Sequence, residues 1–295
     1  MQKLLPYLRL CRFANVFTAL ADIFLGYLLT HQSLAHKLEF GLLLATSAAL
    51  YMAGMVFNDV FDREVDLRER PNRPIPSGAV SLKMAIGLGS VLIMAGIGAA
   101  AAVGTNSLLV AAALVACIFA YDGLLKSTVL GPIAMGGCRF LNVMLGASAV
   151  DPVWVLPQLH VAGGLGVYIA GVTWFARREA GASSRIQLGI AMGTINMGLA
   201  LLVAFVLNWP RGLQSNMNAS IIIGLIALTI NRRLLAAIMD PVPAKVQVAI
   251  KIMLMSLVML DASVVWFVQA DSTYAIYVVC LLVPTFLLSR LIPMT

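Results

Sequence analysis

Long apolar runs, separated by short polar connections, organise the chain from end to end. The runs Phe13–Thr30, Phe40–Phe57, Ser81–Val103, Ser107–Tyr121, Val129–Val150, Val155–Phe175, Ile186–Leu207, Ala219–Leu235, Ala244–Phe267 and Thr273–Leu291 each approach the roughly 20 apolar residues that one helical crossing of a bilayer needs. The fourth run is short and the tenth is the loosest partner of the rest. The pattern predicts an all-α, polytopic membrane bundle of about nine to ten transmembrane helices. It forms one integral-membrane domain over residues 1–295, because the natural unit here is the span rather than the soluble domain.

Composition agrees. Hydrophobic residues make up 61% of the chain and charged residues 11%, against about 25% charged in a soluble domain. The cations are distributed unevenly. Taking alternate connections, one side gathers Lys3, Arg9, Arg12, Arg63, Arg68, Arg70, Arg73, Lys83, Lys126, Arg177, Arg178, Arg185, Arg232, Arg233, Lys245, Lys251 and Arg290. The other side holds only Lys37 and Arg211, and Arg139 lies inside a run. Lys and Arg stay on the cytoplasmic side of short loops, so the N-terminus and the connection after the second run are expected there, in the inner or plasma membrane if the source is bacterial. The net charge of +7 then reflects this asymmetry and contact with anionic lipid, not nucleic acid. A basic N-terminus ahead of Phe13–Thr30 has the outline of a signal peptide. The run is long, however, and no small-residue cleavage site follows it, so a retained first helix is expected.

Cys11, Cys117, Cys138 and Cys280 are scattered without C-x-x-C spacing and read as buried small apolar residues. His31, His36 and His160 fall in short connections with no carboxylate at zinc-ligand spacing, and read as surface loop histidines. The small residues of Met94–Gly104 read as a surface for close helix packing.

One connection departs from this plain pattern. Of the 13 Asp and Glu residues, five (Asp59, Asp62, Glu64, Asp66, Glu69) fall within "FNDVFDREVDLRERPNRPIPSG", Phe57 to Gly78. On a helix, Asn58, Asp59, Asp62 and Asp66 share one face over about two turns, with Glu64 pointing elsewhere. Like charges at that spacing repel unless a cation sits among them. Mg²⁺ takes one or two carboxylates together with waters and substrate phosphates. The same row also reads as a solvated helix end whose charges pair with Arg63, Arg68 and Arg70. The continuation "RPNRPIPSG" favours the first reading, since Arg70 and Arg73 are forked donors suited to phosphate oxygens and the prolines stiffen the link to the next helix.

"NDVFDREVD" followed by "RPNRPIPSG" resembles the first signature of the UbiA superfamily of intramembrane prenyltransferases, N-D-x-x-D-x-x-x-D with a following R-P-[LI]-P-[ST]-G. "YDGLLK" resembles the family's Tyr and Lys at the end of the fourth helix, and "RFAN" its Arg-x-x-Asn in the first. The likeness runs over the first two thirds of the chain, and the last third matches in hydropathy only. "GPIAMGGCRFLNVMLGAS" is most similar to the EboC-like branch. The resemblance implies a UbiA-type bundle around a cavity that binds a prenyl diphosphate through Mg²⁺ at its rim and transfers the tail to an acceptor, releasing diphosphate. It further implies Asp59, Asp62 and Asp66 as metal ligands with Asn58 assisting, Arg70, Arg73 and Lys126 on the diphosphate, and Tyr121 at the same rim. Metal and arginine stabilise the leaving group of an allylic diphosphate, and a water-excluding cavity protects the allylic cation.

The second family signature, usually two or more aspartates, is replaced here by "GVTWFARREAGASSR". Its one carboxylate, Glu179, completes a second metal site, or Arg178 and its neighbours bind the diphosphate directly, or the segment is a plain loop. Charges inside spans carry a default functional reading. Arg139 either pairs with Asp122 or Asp261 across the bundle or faces the cavity toward diphosphate or acceptor, where it joins the catalytic candidates Asp59, Asp62 and Lys126. Asn15, Asp22 and Asn142 are candidates for the acceptor, whose identity the sequence leaves open. A carrier that binds isoprenoid diphosphates without turnover is the alternative from another class. The D-G-x-x-D-G pattern of CDP-alcohol phosphotransferases is absent.

Overall fold

The structure, a computed structural model, describes residues 4–177 and 184–291. It is all-helical: α1 (Leu5–Leu10), a 3₁₀ turn (Phe13–Asn15), α2 (Val16–Thr30), α3 (Lys37–Phe61), α4 (Arg63–Glu69), α5 (Leu82–Val103) and α6 (Thr105–Ala120). A π turn (Tyr121–Leu125) leads to α7 (Gly131–Gly146), α8 (Leu156–Ala176), α9 (Arg185–Asn208), α10 (Leu213–Met239), α11 (Pro243–Gln269), α12 (Ser272–Cys280) and α13 (Leu282–Leu291). Among the described residues, nine helical segments are long and apolar enough to cross a bilayer, so the chain is an integral membrane protein. The fold is that of the all-α membrane bundle expected.

Pro132, Pro157 and Pro243 open α7, α8 and α11 within the first turn, where a missing N–H costs nothing. Over their most apolar 18-residue stretches, more than half of the residues of the α2, α3, α8 and α11 crossings are buried, against fewer than a quarter in those of α5, α6, α10 and the α12–α13 pair. The first set forms the wall of the interior. The second presents leucine, valine and isoleucine side chains outward, as a helix facing lipid requires.

The expected span Val129–Val150 shrinks to the 16 residues of α7, about 24 Å of helix. It nonetheless packs along its neighbour α6, where the Cys117 thiol donates to the Ala134 carbonyl at 3.3 Å. Gly131 packs against the Lys126 carbonyl at one end, and the Ser107 and Ser148 hydroxyls meet at 2.7 Å at the other. The tenth run is also altered, since α12 ends and α13 begins around Leu281.

Helices approach most closely where glycines face each other. A Cβ on Gly26 of α2 would lie 2.1 Å from the Val143 carbonyl oxygen of α7, and one on Gly146 would lie 2.7 Å from the Ile23 carbonyl oxygen. Between α7 and α8, Gly136 and Gly166 pack in the same way. In the small-residue run of α5 only Gly96 and Ala100 are buried, with Gly96 against Leu50 of α3, while Gly98 meets nothing. The close packing expected there covers one stripe of that helix.

His160 is corrected: it lies within α8, not in a connection, and stacks edge-on against Phe205 at 5.9 Å. The cysteines are also not uniformly buried. Cys11 is, and burial pushes its thiol up to about 11, but Cys117 and Cys138 are half-buried with sulfurs 3.5 Å apart, and Cys280 is exposed.

Candidate functional site

At one end of the bundle the charged residues of five elements close around the mouth of a cavity of about 1680 Å³. The acidic row does not lie on one helix. α3 stops at Phe61, Asp62 takes a non-helical backbone (φ −80°, ψ 1°), and α4 restarts at Arg63. This break turns Asp62 and Asp66 toward the cavity, which they line together with Asn58, Arg70 and Arg73.

The loop after α4 is folded by its own sequence. Ile75 and Val80 pack with Leu10, Cys11, Val56 and Ala85 in a small apolar cluster beneath the rim. Gly78 supplies the left-handed turn (φ 76°) that brings the chain back to α5. Arg73 is thereby drawn inward and buried, donating from Nη1 to Asp66 Oδ2 at 2.6 Å and to Asp59 Oδ1 at 3.2 Å.

Asp59 also takes Arg12, whose Nη2 lies 3.3 Å from the same oxygen and 3.4 Å from Asn58 Oδ1. Arg12 holds a left-handed backbone (φ 44°, ψ 47°) at the break between α1 and the 3₁₀ turn. That conformation costs a non-glycine residue about 1–2 kcal/mol, and here it accompanies a guanidinium aimed at α3. Asp59, expected as a catalytic group and metal ligand, is therefore 3% exposed behind two arginines and is not part of the cavity lining. Its partners also replace the pairing with Arg63, Arg68 and Arg70 considered above.

The opposite rim comes from the end of α6. The Lys126 N–H donates to the Tyr121 carbonyl at 2.9 Å, one wide turn that ends the helix; such turns recur at functional sites. It carries Tyr121, Asp122 and Lys126 to the cavity. Lys126 Nζ pairs with Asp62 Oδ2, and Asn58 Nδ2 donates to Asp122 Oδ1 at 2.7 Å. Arg177, at the end of α8, reaches the Ser127 carbonyl at 3.1 Å. Arg178 and Glu179, the residues of the thin second signature, lie outside the described residues.

Deeper in the bundle, Arg139 and Asn142 of α7 and Asn15 and Thr18 of the first crossing form a polar wall. Among the described residues Arg139 forms an ion pair with neither Asp122 nor Asp261, nor does it simply face the cavity: its Nε lies 2.8 Å from Asp22 Oδ2 and its Nη2 donates to the Thr18 carbonyl at 2.8 Å, while the side chain also lines the cavity. The Nε–H is not aimed at the oxygen, so the first contact is an ion pair rather than a hydrogen bond. Asp22 is fully buried behind this wall and does not line the cavity. The remaining walls are apolar, with Leu50, Leu114, Ile118, Met135, Ile169 and Val172 among them.

Sequence reasoning passed over Arg12 and Asp122 as site residues, although both stand inside the quoted motifs. It also passed over the cavity-lining Gln187, Gln247 and Lys251 of α9 and α11, which no motif marks.

The residues present fit a magnesium ion of a particular kind. Their donors are hard carboxylate oxygens, and Asp62 and Asp66 each keep Oδ1 without a protein donor among the described residues. No group of three ionisable ligands gathers among the described residues. The protein would thus give only part of an octahedral shell, which suits an ion that keeps waters and shares substrate phosphates.

Comparison with known proteins places this site in a context. The sequence pattern of the UbiA prenyltransferase family matches residues 19–238. A digeranylgeranylglyceryl phosphate synthase of Sulfurisphaera tokodaii is 27% identical over 155 residues, 52% of this chain and 56% of that one. The chain spans about half the length of the curated relatives it matches. The solved structure of a digeranylgeranylglyceryl phosphate synthase superposes over 92% of this chain and all of the other, with a TM-score of 0.70 at 19% identity. A homologue from Archaeoglobus fulgidus bound to GPP and Mg²⁺ covers 93% of this chain and 99% of its own, with a TM-score of 0.63 at 16% identity.

Proposed function

The chain belongs to the UbiA prenyltransferase family, and on that premise we propose that it transfers the prenyl group of a prenyl diphosphate to a lipid-like acceptor within the membrane, releasing diphosphate with the help of Mg²⁺. One observation carries the reading. Carboxylates, arginines and a lysine from α3, α4, the loop after it and the end of α6 meet at the mouth of a single large cavity whose walls are otherwise mostly apolar. At about 1680 Å³ that cavity exceeds the roughly 300–1,000 Å³ of an ordinary small-molecule pocket, room for a prenyl donor and a second apolar substrate together.

Asp62 and Asp66 would hold the ion, which when bound neutralises the diphosphate and stabilises it as a leaving group. Arg70 and Lys126, with Arg73 behind them, supply positive charge at the same place and so lower the barrier to breaking the carbon–oxygen bond. Lys126 and Arg73 are now paired with the carboxylates; an incoming diphosphate competes for those same donors. Tyr121 lines the same rim beside them. The apolar walls hold the tail and exclude water from the allylic cation. We place the rim on the cytoplasmic side, from the Lys and Arg asymmetry.

The names of the relatives suggest a glycerophosphate lipid as acceptor, whereas the run 131–148 suggested the EboC-like branch, which names no acceptor; both readings share the donor chemistry. Binding without turnover remains the second reading, favoured by the sealing of Asp59 behind Arg12 and Arg73. Diphosphate release from geranyl, farnesyl and geranylgeranyl diphosphates, with a lipid extract as acceptor pool, tests both. Release is expected to require Mg²⁺, to stop on chelation, and to fall at least about a hundredfold in Asp62→Asn. Metal-dependent donor binding with no release from any acceptor pool would establish the carrier instead.

A further inference from the structure

The interior polar wall has a second layer that the rim chemistry does not use. Asp261 of α11 is fully buried beside Asp22 of α2, and the two carboxyls meet. Three of their four oxygens, Asp22 Oδ1 and both of Asp261, have no hydrogen-bond donor among the described residues. The fourth, Asp22 Oδ2, takes the Asn142 amide at 2.7 Å and the Arg139 ion pair at 2.8 Å. Buried oxygens without donors are costly, and two carboxylates beside one guanidinium would leave an uncompensated charge within the membrane. One proton resolves both faults. Carried on Asp261, it donates to Asp22 Oδ1 and leaves the three side chains neutral as a set.

The neighbours support no other donor. Tyr168 of α8 spends its hydroxyl on the Met253 carbonyl at 2.9 Å. Asn142 spends both amide hydrogens, on Asp22 and on the Ala19 carbonyl at 2.9 Å, and accepts the Ser47 hydroxyl at 2.8 Å. Tyr51 of α3 is the remaining titratable group near Arg139, and it lines the cavity. On Arg139 itself, Nε and Nη2 face Asp22 and Thr18, while Nη1 has no protein partner among the described residues. The residue lines the cavity.

We propose that Asp22 and Asp261 share one proton and, as positioning residues, fix Arg139 so that its free Nη1 edge offers hydrogen bonds to an uncharged oxygen of the acceptor, such as a hydroxyl. The inference rests on the transfer reading for the word acceptor. Because the guanidinium charge is already balanced by Asp22, this depth of the cavity selects a neutral oxygen; any anionic head of the same acceptor belongs at the cationic rim. Asp261 acts only through Asp22, and Asp22 only through Arg139 and Asn142.

Infrared spectra of the full chain in lipid test the shared proton. The wild-type minus Asp261→Asn and wild-type minus Asp22→Asn differences are each expected to show the carbonyl band of a protonated carboxylic acid, since either remaining carboxyl alone balances Arg139. A band in neither difference, or in only one, overturns the sharing. Thermal stabilisation by a monoalkylglycerol and by its phosphate monoester tests the ligand class. The uncharged lipid is expected to stabilise the wild type and Asp261→Asn, whose carboxamide still donates to Asp22. Its affinity is expected to fall about 10–100-fold in Arg139→Gln, the cost of losing a charge-assisted hydrogen bond. Stabilisation by the phosphate alone, by neither lipid, or undiminished in Arg139→Gln overturns the neutral-oxygen assignment. Neither measurement depends on turnover, so a loss of the transfer reading, seen as absent diphosphate release, stays distinguishable.

Discussion

Arg12 shows how a single residue can be placed at a cost to serve a site. Its left-handed backbone would suit glycine, yet the guanidinium is what reaches Asn58 and Asp59. Arg12→Gly and Arg12→Ala both remove that contact, but only alanine keeps the strain. The glycine variant is therefore expected to unfold at a higher temperature than the alanine variant, by the equivalent of about 1 kcal/mol. Both should lose donor affinity alike. Equal melting temperatures would mean that the left-handed turn carries no strain. The chemistry of such residues was legible where it sat in a dense motif: Asn58, Asp62, Asp66, Arg70, Arg73, Tyr121 and Lys126 all reach the cavity mouth. What spacing could not tell was which carboxylate would be sealed. Asp59 and Asp62 are three residues apart and alike in sequence, and it is the convergence of Arg12, from just before the first crossing, and Arg73, from the loop after α4, that buries one and not the other.

At the scale of the helix, the apolar runs predicted the crossings well because a membrane span has one overriding requirement, unbroken apolarity over its length. Their ends were less legible. α3 extends beyond Phe57 to Phe61, and the acidic row divides between α3 and α4 at Asp62, so that Asp62 pairs with Lys126 and Asp66 with Arg73, partners that local sequence does not reveal. Contacts between helices were the least legible, because a glycine that admits another backbone looks the same in sequence as one facing lipid. Gly26 and Gly146 admit the closest approach, and it is this approach that sets α2 and α7 near enough for Asp22 to meet Arg139 and Asn142. Gly26→Ala is expected to push the helices apart and cost roughly 1–3 kcal/mol in thermal unfolding. Gly98→Ala on the open face of α5 should leave stability unchanged or slightly raised. A Gly26→Ala protein as stable as the Gly98→Ala one would show that α2 and α7 are not locked together at this point.

For the molecule as a whole, the arrangement separates three tasks by depth and by side. Charge for the diphosphate stands at the rim, and polar groups stand on the α2–α7 side below it. On the α3–α6 side Leu50, Gly54, Leu114 and Ile118 give a mainly apolar surface, with the Tyr51 hydroxyl as its polar exception. Leu114 lies seven residues before Tyr121, about 10 Å below the rim along α6, a depth that the first isoprene units of a tail would reach but the diphosphate would not. If the tail runs down that side, Leu114→Trp narrows its path without touching the charged groups. Release of diphosphate should then fall more for geranylgeranyl than for farnesyl diphosphate, and least for geranyl diphosphate, with the Mg²⁺ requirement unchanged. A uniform fall across the three donors would instead place the tail along the α7–α8 wall of Met135, Ile169 and Val172, leaving the α3–α6 side to the second substrate.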